Sequence, residues 1–259
     1  MRTIKKRTTP DELEAWRQDR VEKDDPVLYP FHYASMRRDK VVLEKVEDGL
    51  FAEQGGICAY TGRMIHRQGK WGQAGFHIEH LKPQTHCSVG EDTDYRNIVA
   101  CWPAPNPKQA PEYGAMKKDQ WPSPEATALF VSPLVEGCTE RFGFINEEDP
   151  AEAGKDARYS NWMKPSTEGD AAATETIQRI NLNHHELRAL RWNAVIGAMN
   201  PVDGEFLPLD ELLEVAAKMD KAERNLNVGD DVTLDPFCFA VRQAISRRIL
   251  KLQERRRPA

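Results

Sequence analysis

The sequence predicts an α+β protein in which a small β-containing segment interrupts a mostly helical scaffold. Three observations lead there. Apolar residues recur at helical spacing before residue 56 and again after residue 170. Between these stretches Gly, Pro, His, Cys and Trp become dense, and the apolar runs shrink to strand length, as in "GICAY", "AGFHI" and "NIVAC". No internal repeat stands out. The expected division is therefore an N-terminal helical segment, 1–56, a central β-containing region, 57–165, and a C-terminal helical region, 166–259.

Each element has its own signal. "TPDELEAWRQ" offers Thr9 as N-cap, Pro10 at the first helical position and Glu12 three residues after the cap. "ASMRRDKVVLEKVEDGLFAEQGG" sets Val42, Leu43, Val46 and Leu50 along one helical stripe, and Gly55-Gly56 stops it. Pro103, Pro105, Pro107 and Pro111 make the connection after Cys101 irregular, and "PEYGAMKKDQ" follows as a short helix or turn. "ATALFVSPLVEGCTERFGFI" reads as one or two strands, followed by an acidic, glycine-containing surface segment. "AAATETIQRINLN" is helical. "NHHELRALRWNAVIGAM" begins with Asn183 as N-cap and Glu186 three residues on, and presents Leu187, Leu190, Ala194, Val195 and Ala198 on one face. "LPLDELLEVAAKM" and "DPFCFAVRQAISRRILKLQERRR" supply two further helices, the second opened by Asp235-Pro236.

Bulk properties restrict the function classes. The chain has 259 residues, 30% of them charged, with a formal net charge of −5. No apolar run approaches the roughly 18 residues of a membrane span, and no membrane association is expected. The opening "MRTIKKRTTPDELEAW" has basic residues without an apolar core, so no secretory signal is expected and the cytoplasm is the expected location. Five scattered cysteines without a C-x-x-C pair make a poor disulfide framework. The acidic balance does not announce a nucleic-acid binder, but a local basic groove can act on an acidic protein.

Chemistry concentrates in "FHIEHLKPQ", Phe76 to Gln84. On a strand, alternation puts His77 and Glu79 on one face, with His80 at the strand end where it can turn towards a cleft. Glu79 supplies a hard carboxylate oxygen suited to Mg²⁺ or Mn²⁺. His80 has an intrinsic pKa near neutrality, as a base for water activation requires. "DYRNIVAC" and "EYGAMKKDQWP" follow. E-H-x-x-P, an Asn leading an apolar strand, then a lysine-bearing turn or helix is the order of parts in the ββα-metal (HNH) nuclease motif. The Asn97 side chain can bridge backbone groups across the loop, and lysines such as Lys82, Lys117 and Lys118 can meet phosphate as point charges. In isolation H-x-E-H is a weak motif; the ordered set is a strong one.

The chain resembles the HNH nucleases found with Septu-type phage-defence systems and with some retrons. "MRTIKKRTTPDELEAW" resembles the family's opening and "GICAYTGRMI" its first hairpin. "FHIEHLKPQ" with "DYRNIVAC" resembles its catalytic core, "FVSPLVEGCTERFGF" the segment after it, and "ETIQRINLNHHELRALR" its helical signature. The likeness covers about residues 1–200. It implies a metal-dependent endonuclease acting on DNA or RNA, with an ATPase partner of the SMC/ABC-like class and a hetero-oligomeric assembly. His80 matches the general base, Glu79 the acidic metal ligand and Asn97 the central asparagine; Lys117 or Lys118 matches the lysine after the last ligand. That last ligand has no clear occupant: Asn106 and Glu112 are candidates by position. His77 is either a further ligand or a group behind one.

Departures from the family pattern set the alternatives. Many relatives carry two cysteine pairs that hold a structural zinc; here Cys58 is followed by Thr61 and Cys101 stands alone. Threonine is a poor zinc ligand, so Zn²⁺ is not expected, and packing with hydrogen bonds is expected instead. One alternative is an HNH-fold protein without catalysis that binds a partner or nucleic acid; another is a zinc-dependent nucleic-acid module. Trp102 and Trp121 are expected in the core, with stacking on nucleic-acid bases as the alternative, and His184 and His185 as solvated first-turn residues. Arg247, Arg248, Lys251, Arg255, Arg256 and Arg257 form a basic helix end that is either a solvated face or a nucleic-acid or partner contact.

Overall fold

The clearest stripe in the sequence becomes the helix on which the candidate site rests. A computed structural model describes residues 1–68, 75–145, 161–200, 206–229 and 231–256. In it α1 spans Asp11–Lys23, α2 Tyr33–Met36 and α3 Lys40–Gln54. Asp39 caps α3, its Oδ1 accepting from the N–H groups of Val41 and Val42 at 3.2 Å each. Gly55 ends it at φ 64°, in the left-handed region that glycine enters without a Cβ penalty. Val42, Val46 and Leu50 are buried, whereas Val41 faces water.

The cap of α1 differs from the sequence expectation. Pro10 itself occupies the N-cap position and its carbonyl accepts from Leu13 and Glu14, while no side chain caps the helix. That carbonyl meets two N–H groups of the first turn, and Thr9 is not used as a cap.

The central region contributes β1 (His77–His80) and β2 (Ile98–Cys101), paired antiparallel with His77 opposite Cys101 and His80 opposite Ile98. The four-residue α4 (Ala115–Lys118) follows. Gly114, at φ 71°, starts α4 where a Cβ would lie 2.9 Å from Thr61 Cγ2, so glycine lets this helix approach the 58–63 turn. In the 123–141 stretch the expected strands are short 3₁₀ turns, Pro124–Leu129 and Thr139–Arg141. Pro133 cannot donate to a ladder, and its carbonyl accepts from Ile4 N–H at 2.7 Å. The strand signal is realised only in β3 (Phe142–Ile145), antiparallel to β4 (Trp162–Pro165). The acidic segment expected after β3 and Arg257 lie outside the described residues.

The C-terminal region holds α5 (Ala171–Arg179), α6 (His185–Met199), α7 (Leu209–Val228) and α8 (Cys238–Arg255). Asp170 caps α5 through Ala173 N–H at 2.9 Å. Asn183 does not cap α6. Its amide instead pairs with Met163 of β4, accepting from the N–H at 2.7 Å and donating to the C=O at 2.8 Å. A strand edge with unmet backbone groups takes the asparagine away from the helix end.

One hydrophobic core joins residues of all three sequence segments: Leu13 and Val46, then Ile98 and Phe142, then Leu187 and Ala240. A second cluster, including Val195, Leu212, Val241 and Ile245, seals α6, α7 and α8 together. The chain is thus a mixed α+β fold with two small antiparallel sheets. Among the described residues no helix is long and apolar enough to cross a membrane.

Candidate active site

The β1–β2 register puts His77 and Glu79 on the face shared with Cys101 and Val99, with Ile78 and His80 on the other. His77 Nδ1 lies 2.6 Å from the carbonyl of Pro103, which requires an N–H at that nitrogen. In the neutral ring Nε2 is then the acceptor, and it stands 3.8 Å from Glu79 Oε2. Burial opposes a charge on His77, but the Glu79 carboxylate and the Pro103 carbonyl outweigh it and raise the pKa above 6.5. A proton and a cation would therefore compete for the same nitrogen.

The other oxygen of Glu79 is already engaged. Lys118, at the end of α4, brings Nζ to 3.0 Å from Glu79 Oε1 and donates to His80 O at 2.8 Å; its side chain has no solvent exposure. The neighbouring Lys117 is exposed. Beside α4 opens a cavity of about 480 Å³ whose lining includes Lys117, Trp121 and Arg179.

His80 is 6% exposed. Its Nε2 is 2.8 Å from Asp92 O, its Nδ1 is 3.1 Å from Gln84 Nε2, and the Tyr33 ring packs edge-on at 4.6 Å. Burial lowers its pKa below 6.5, against the pull of the Asp92 carbonyl and the Glu79 charge, so the ring is neutral at neutral pH. Its loop is tied down by Asn97. The Asn97 Oδ1 accepts from Lys82 N–H at 2.8 Å, and Nδ2 donates to Lys82 O at 3.2 Å. Leu81 N–H adds a bond to Asn97 O at 2.8 Å. Side chain and backbone of one residue thus fix the chain as it leaves the histidine.

Other sequence candidates are dispersed. Lys82 is held by both oxygens of Glu91 at 2.7 Å. Asn106, at φ 53°, and Glu112 are exposed on the proline-rich connection before α4. Among the described residues no three His, Cys, Asp or Glu side chains form a metal cluster, so Glu112 does not join His77 and Glu79. Its segment is drawn instead towards Asn181, whose amide donates to Glu112 O at 2.8 Å. Arg255 is exposed in the last turn of α8.

Cys58 and Cys101 are free and buried, beside a turn closed by Cys58 N–H to Arg63 O at 2.8 Å and an isolated Ile57–Met64 bridge. Burial pushes the Cys58 thiol up, but hydrogen bonds from Cys101, Thr61 and the Trp102 backbone hold it well below the usual thiol range, with Cys101 correspondingly high. Thr61 thus contributes to this cluster through hydrogen bonding. Trp102 stacks on Tyr113 at 5.7 Å, and the Arg63 guanidinium, which also donates to the Tyr113 hydroxyl, lies 3.7 Å from the Trp102 ring. Trp121 packs edge-on against Phe130. His184 is half-buried against Tyr113 rather than solvated, and His185 is exposed.

Sequence reasoning missed Gln84, Asp92 and Tyr33. Asp92 Oδ2 accepts from Tyr33 N–H at 2.8 Å, while its Oδ1 is buried without a hydrogen-bond partner. The spacing of Gln84, four residues past His80, was the available signal for its contact. A separate cleft of about 1030 Å³, lined by residues such as Arg2, Met219, Phe239 and Arg242, shares no residue with this constellation.

What the constellation offers is a carboxylate and an imidazole nitrogen 3.8 Å apart on one face of β1, with a neutral imidazole on the opposite face at the strand end. The carbonyl behind His77 is the partner that metal-bound histidines commonly have. Glu79 and His77 supply two donors, and among the described residues no third His, Cys, Asp or Glu joins them. Comparison with family models, with curated proteins and with solved structures gives no match.

Proposed function

We propose that the chain is a metal-dependent endonuclease of the ββα-metal (HNH) type, hydrolysing phosphodiesters of DNA or RNA. The observation that carries this reading is the pairing of His77 with Glu79 on one face of β1, the ring oriented by Pro103 O, with a neutral His80 one residue on at the strand end. The succession of β1, β2 and α4 and the Asn97 bridge add to it.

His80 acts as the base. With Nε2–H held by Asp92 O, Nδ1 is the nitrogen that takes a proton from water, once Gln84 yields its position. Bound at Glu79 and His77, Mg²⁺ or Mn²⁺ would stabilise charge on the phosphate and on the leaving oxygen. Exposed Lys117 contacts the phosphate backbone. The sequence resemblance adds an antiviral defence role and an SMC/ABC-like ATPase partner that gates cleavage. A second reading, binding without catalysis, draws on the Lys118–Glu79 ion pair and the Gln84 contact, which occupy the reactive atoms.

The deciding experiment incubates plasmid, single-stranded DNA and RNA with the purified chain and Mg²⁺ or Mn²⁺, alone and with an SMC/ABC-like ATPase encoded beside it, where the genome carries one. Cleavage abolished by chelation and by His80→Ala is expected. Cleavage indifferent to His80→Ala would refute the mechanism. No cleavage of any substrate, with or without the ATPase, favours the binding reading.

A further inference from the structure

The cleft of about 1030 Å³ is walled by the N-terminal segment, residues 136–143, β4, α7 and α8. Part of the wall is apolar, with Met219 and Ala222 on α7, Leu234 before α8 and Phe239 on it. Arg2 stands among them, its side chain 4% exposed. A guanidinium this deep normally has its donors matched. Here Nε and Nη1 have no hydrogen-bond partner among the described residues, and Nη2 makes one long bond, to Asn227 Oδ1 at 3.5 Å. Glu223 of α7 brings Oε1 to 3.6 Å from Nε, beyond hydrogen-bond range, and its other oxygen lies 3.4 Å from Arg242 Nη1. The Glu223 side chain is 38% exposed, so solvent is open to it.

Other polar groups of the wall are engaged. Gln243 and Arg247 donate to the carbonyls of Phe142 and Phe144, and Arg242 pairs with Asp220 as well as with Glu223. By contrast, the ammonium groups of exposed Lys5, Lys164 and Lys218 have no ion pair among the described residues. Six basic side chains border the cleft against four acidic ones, which favours an anion there. A guanidinium meets carboxylate or phosphate oxygens through charge-assisted hydrogen bonds, and three unpaired lysines around it suit the larger charge of a phosphate. The volume is at the upper end of the roughly 300–1,000 Å³ of small-molecule sites, which combine apolar walls with a few convergent polar groups. We propose that the cleft binds a small organic phosphate, one or two phosphate groups on an apolar or aromatic body. Arg2 meets the phosphate, the body lies against Met219, Ala222 and Leu234, and Glu223 is the placeholder that turns out to solvent when the ligand enters. The proposal stands apart from the endonuclease reading, because the cleft shares no residue with His77, Glu79 or His80.

The test is isothermal titration of the full chain, in EDTA so that no metal takes part, with five probes. Adenosine diphosphate and phenyl phosphate carry both head and body; adenosine lacks the phosphate, inorganic pyrophosphate lacks the body, and a hexaglutamate peptide stands for an acidic protein segment. Wild type should bind at least one of the two organic phosphates at least tenfold tighter than the other three probes. Glu223→Gln, which removes the competing carboxylate, should tighten that binding at least threefold. Arg2→Met, checked for fold by circular dichroism, should weaken it at least tenfold, and Lys218→Met severalfold. Opposite signs at Arg2 and Glu223 are what a merely structural ion pair would not produce. Binding of neither organic phosphate would overturn the proposal, as would unchanged affinity in Glu223→Gln. Pyrophosphate binding as tightly as the organic phosphates would remove the apolar wall from the account and overturn it too. Preference for the peptide would make the cleft a docking surface for an acidic chain instead. If Arg2→Met does not fold, the partly exposed Glu223 and exposed Lys218 variants decide.

Discussion

Removing the Glu53 carboxylate is the perturbation with the largest expected effect on stability. Glu53 sits in α3, and its side chain has no solvent exposure. Its Oε1 meets Lys6 Nζ at 2.6 Å, and its Oε2 accepts from Arg7 N–H and Tyr95 O–H at 3.1 Å each. The same Lys6 ammonium, 9% exposed, donates to Ile98 O at 2.6 Å in β2, the partner of the histidine strand. Burial raises the Glu53 pKa and lowers that of Lys6, the direction expected when desolvation opposes both charges. In Glu53→Ala the ammonium loses its counter-ion inside the protein, an effect worth about 3–5 kcal/mol. Tyr95 O–H and Arg7 N–H lose their acceptor as well, at about 1–3 kcal/mol for a buried group left unmet. A loss of about 4–8 kcal/mol is a large share of the roughly 5–15 kcal/mol that keeps a typical domain folded. Urea unfolding followed by tryptophan fluorescence should therefore show a much lower midpoint. The double variant Lys6→Met/Glu53→Leu should recover most of the loss, because both charges are then gone. A single-variant loss under about 1 kcal/mol, or a double variant worse than the single, would refute the reasoning.

Other consequences can be measured separately. Asn97→Ala deletes the two-way bridge to Lys82, whose exposed backbone can turn to water, so the cost should be about 1 kcal/mol; amide exchange at Leu81 and Lys82 should accelerate, and unchanged exchange would count against the bridge. His80 has a folded pKa below its ordinary 6.5 because burial disfavours its charge. Between that depressed value and about 6.5 the unfolded chain binds more protons, so stability should rise with pH across the window and fall on acidification. His80→Gln should flatten this acid-side loss in unfolding curves at pH 5.5 and 7.5; an identical pH slope would contradict it. Asn183→Ala leaves the N–H and C=O of Met163 without partners and should lower the melting temperature, while a substitution neutral in a melting curve would show that the β4 edge does not need it.

The sequence reveals what local physics decides. The α3 stripe, the β1–β2 hairpin and the span of Asn97 across the His80 loop are all set by alternation, helical period and short-range hydrogen bonding. The helix caps at Thr9 and Asn183 were misread because each competes with another partner: a proline carbonyl in one case, a strand edge in the other. The 130–135 run looked like a strand because periodicity does not register where the neighbouring backbone groups go. Lys118 looked like an exposed phosphate contact, yet α4 turns it inward onto Glu79, a consequence of Gly114 letting the helix settle against the Thr61 turn. Asp92 and Gln84 carry no motif, and their meeting with His80 comes from how the 84–93 loop folds back.

The most direct test of the proposed metal site is pulsed EPR of the full chain loaded with Mn²⁺ in the presence of a phosphodiester oligonucleotide. Coordination by His77 predicts a nitrogen coupling from an imidazole that disappears in His77→Gln, together with loss of Mn²⁺ binding in Glu79→Gln. A bound Mn²⁺ without nitrogen coupling, or with coupling that survives His77→Gln, would contradict the site as described.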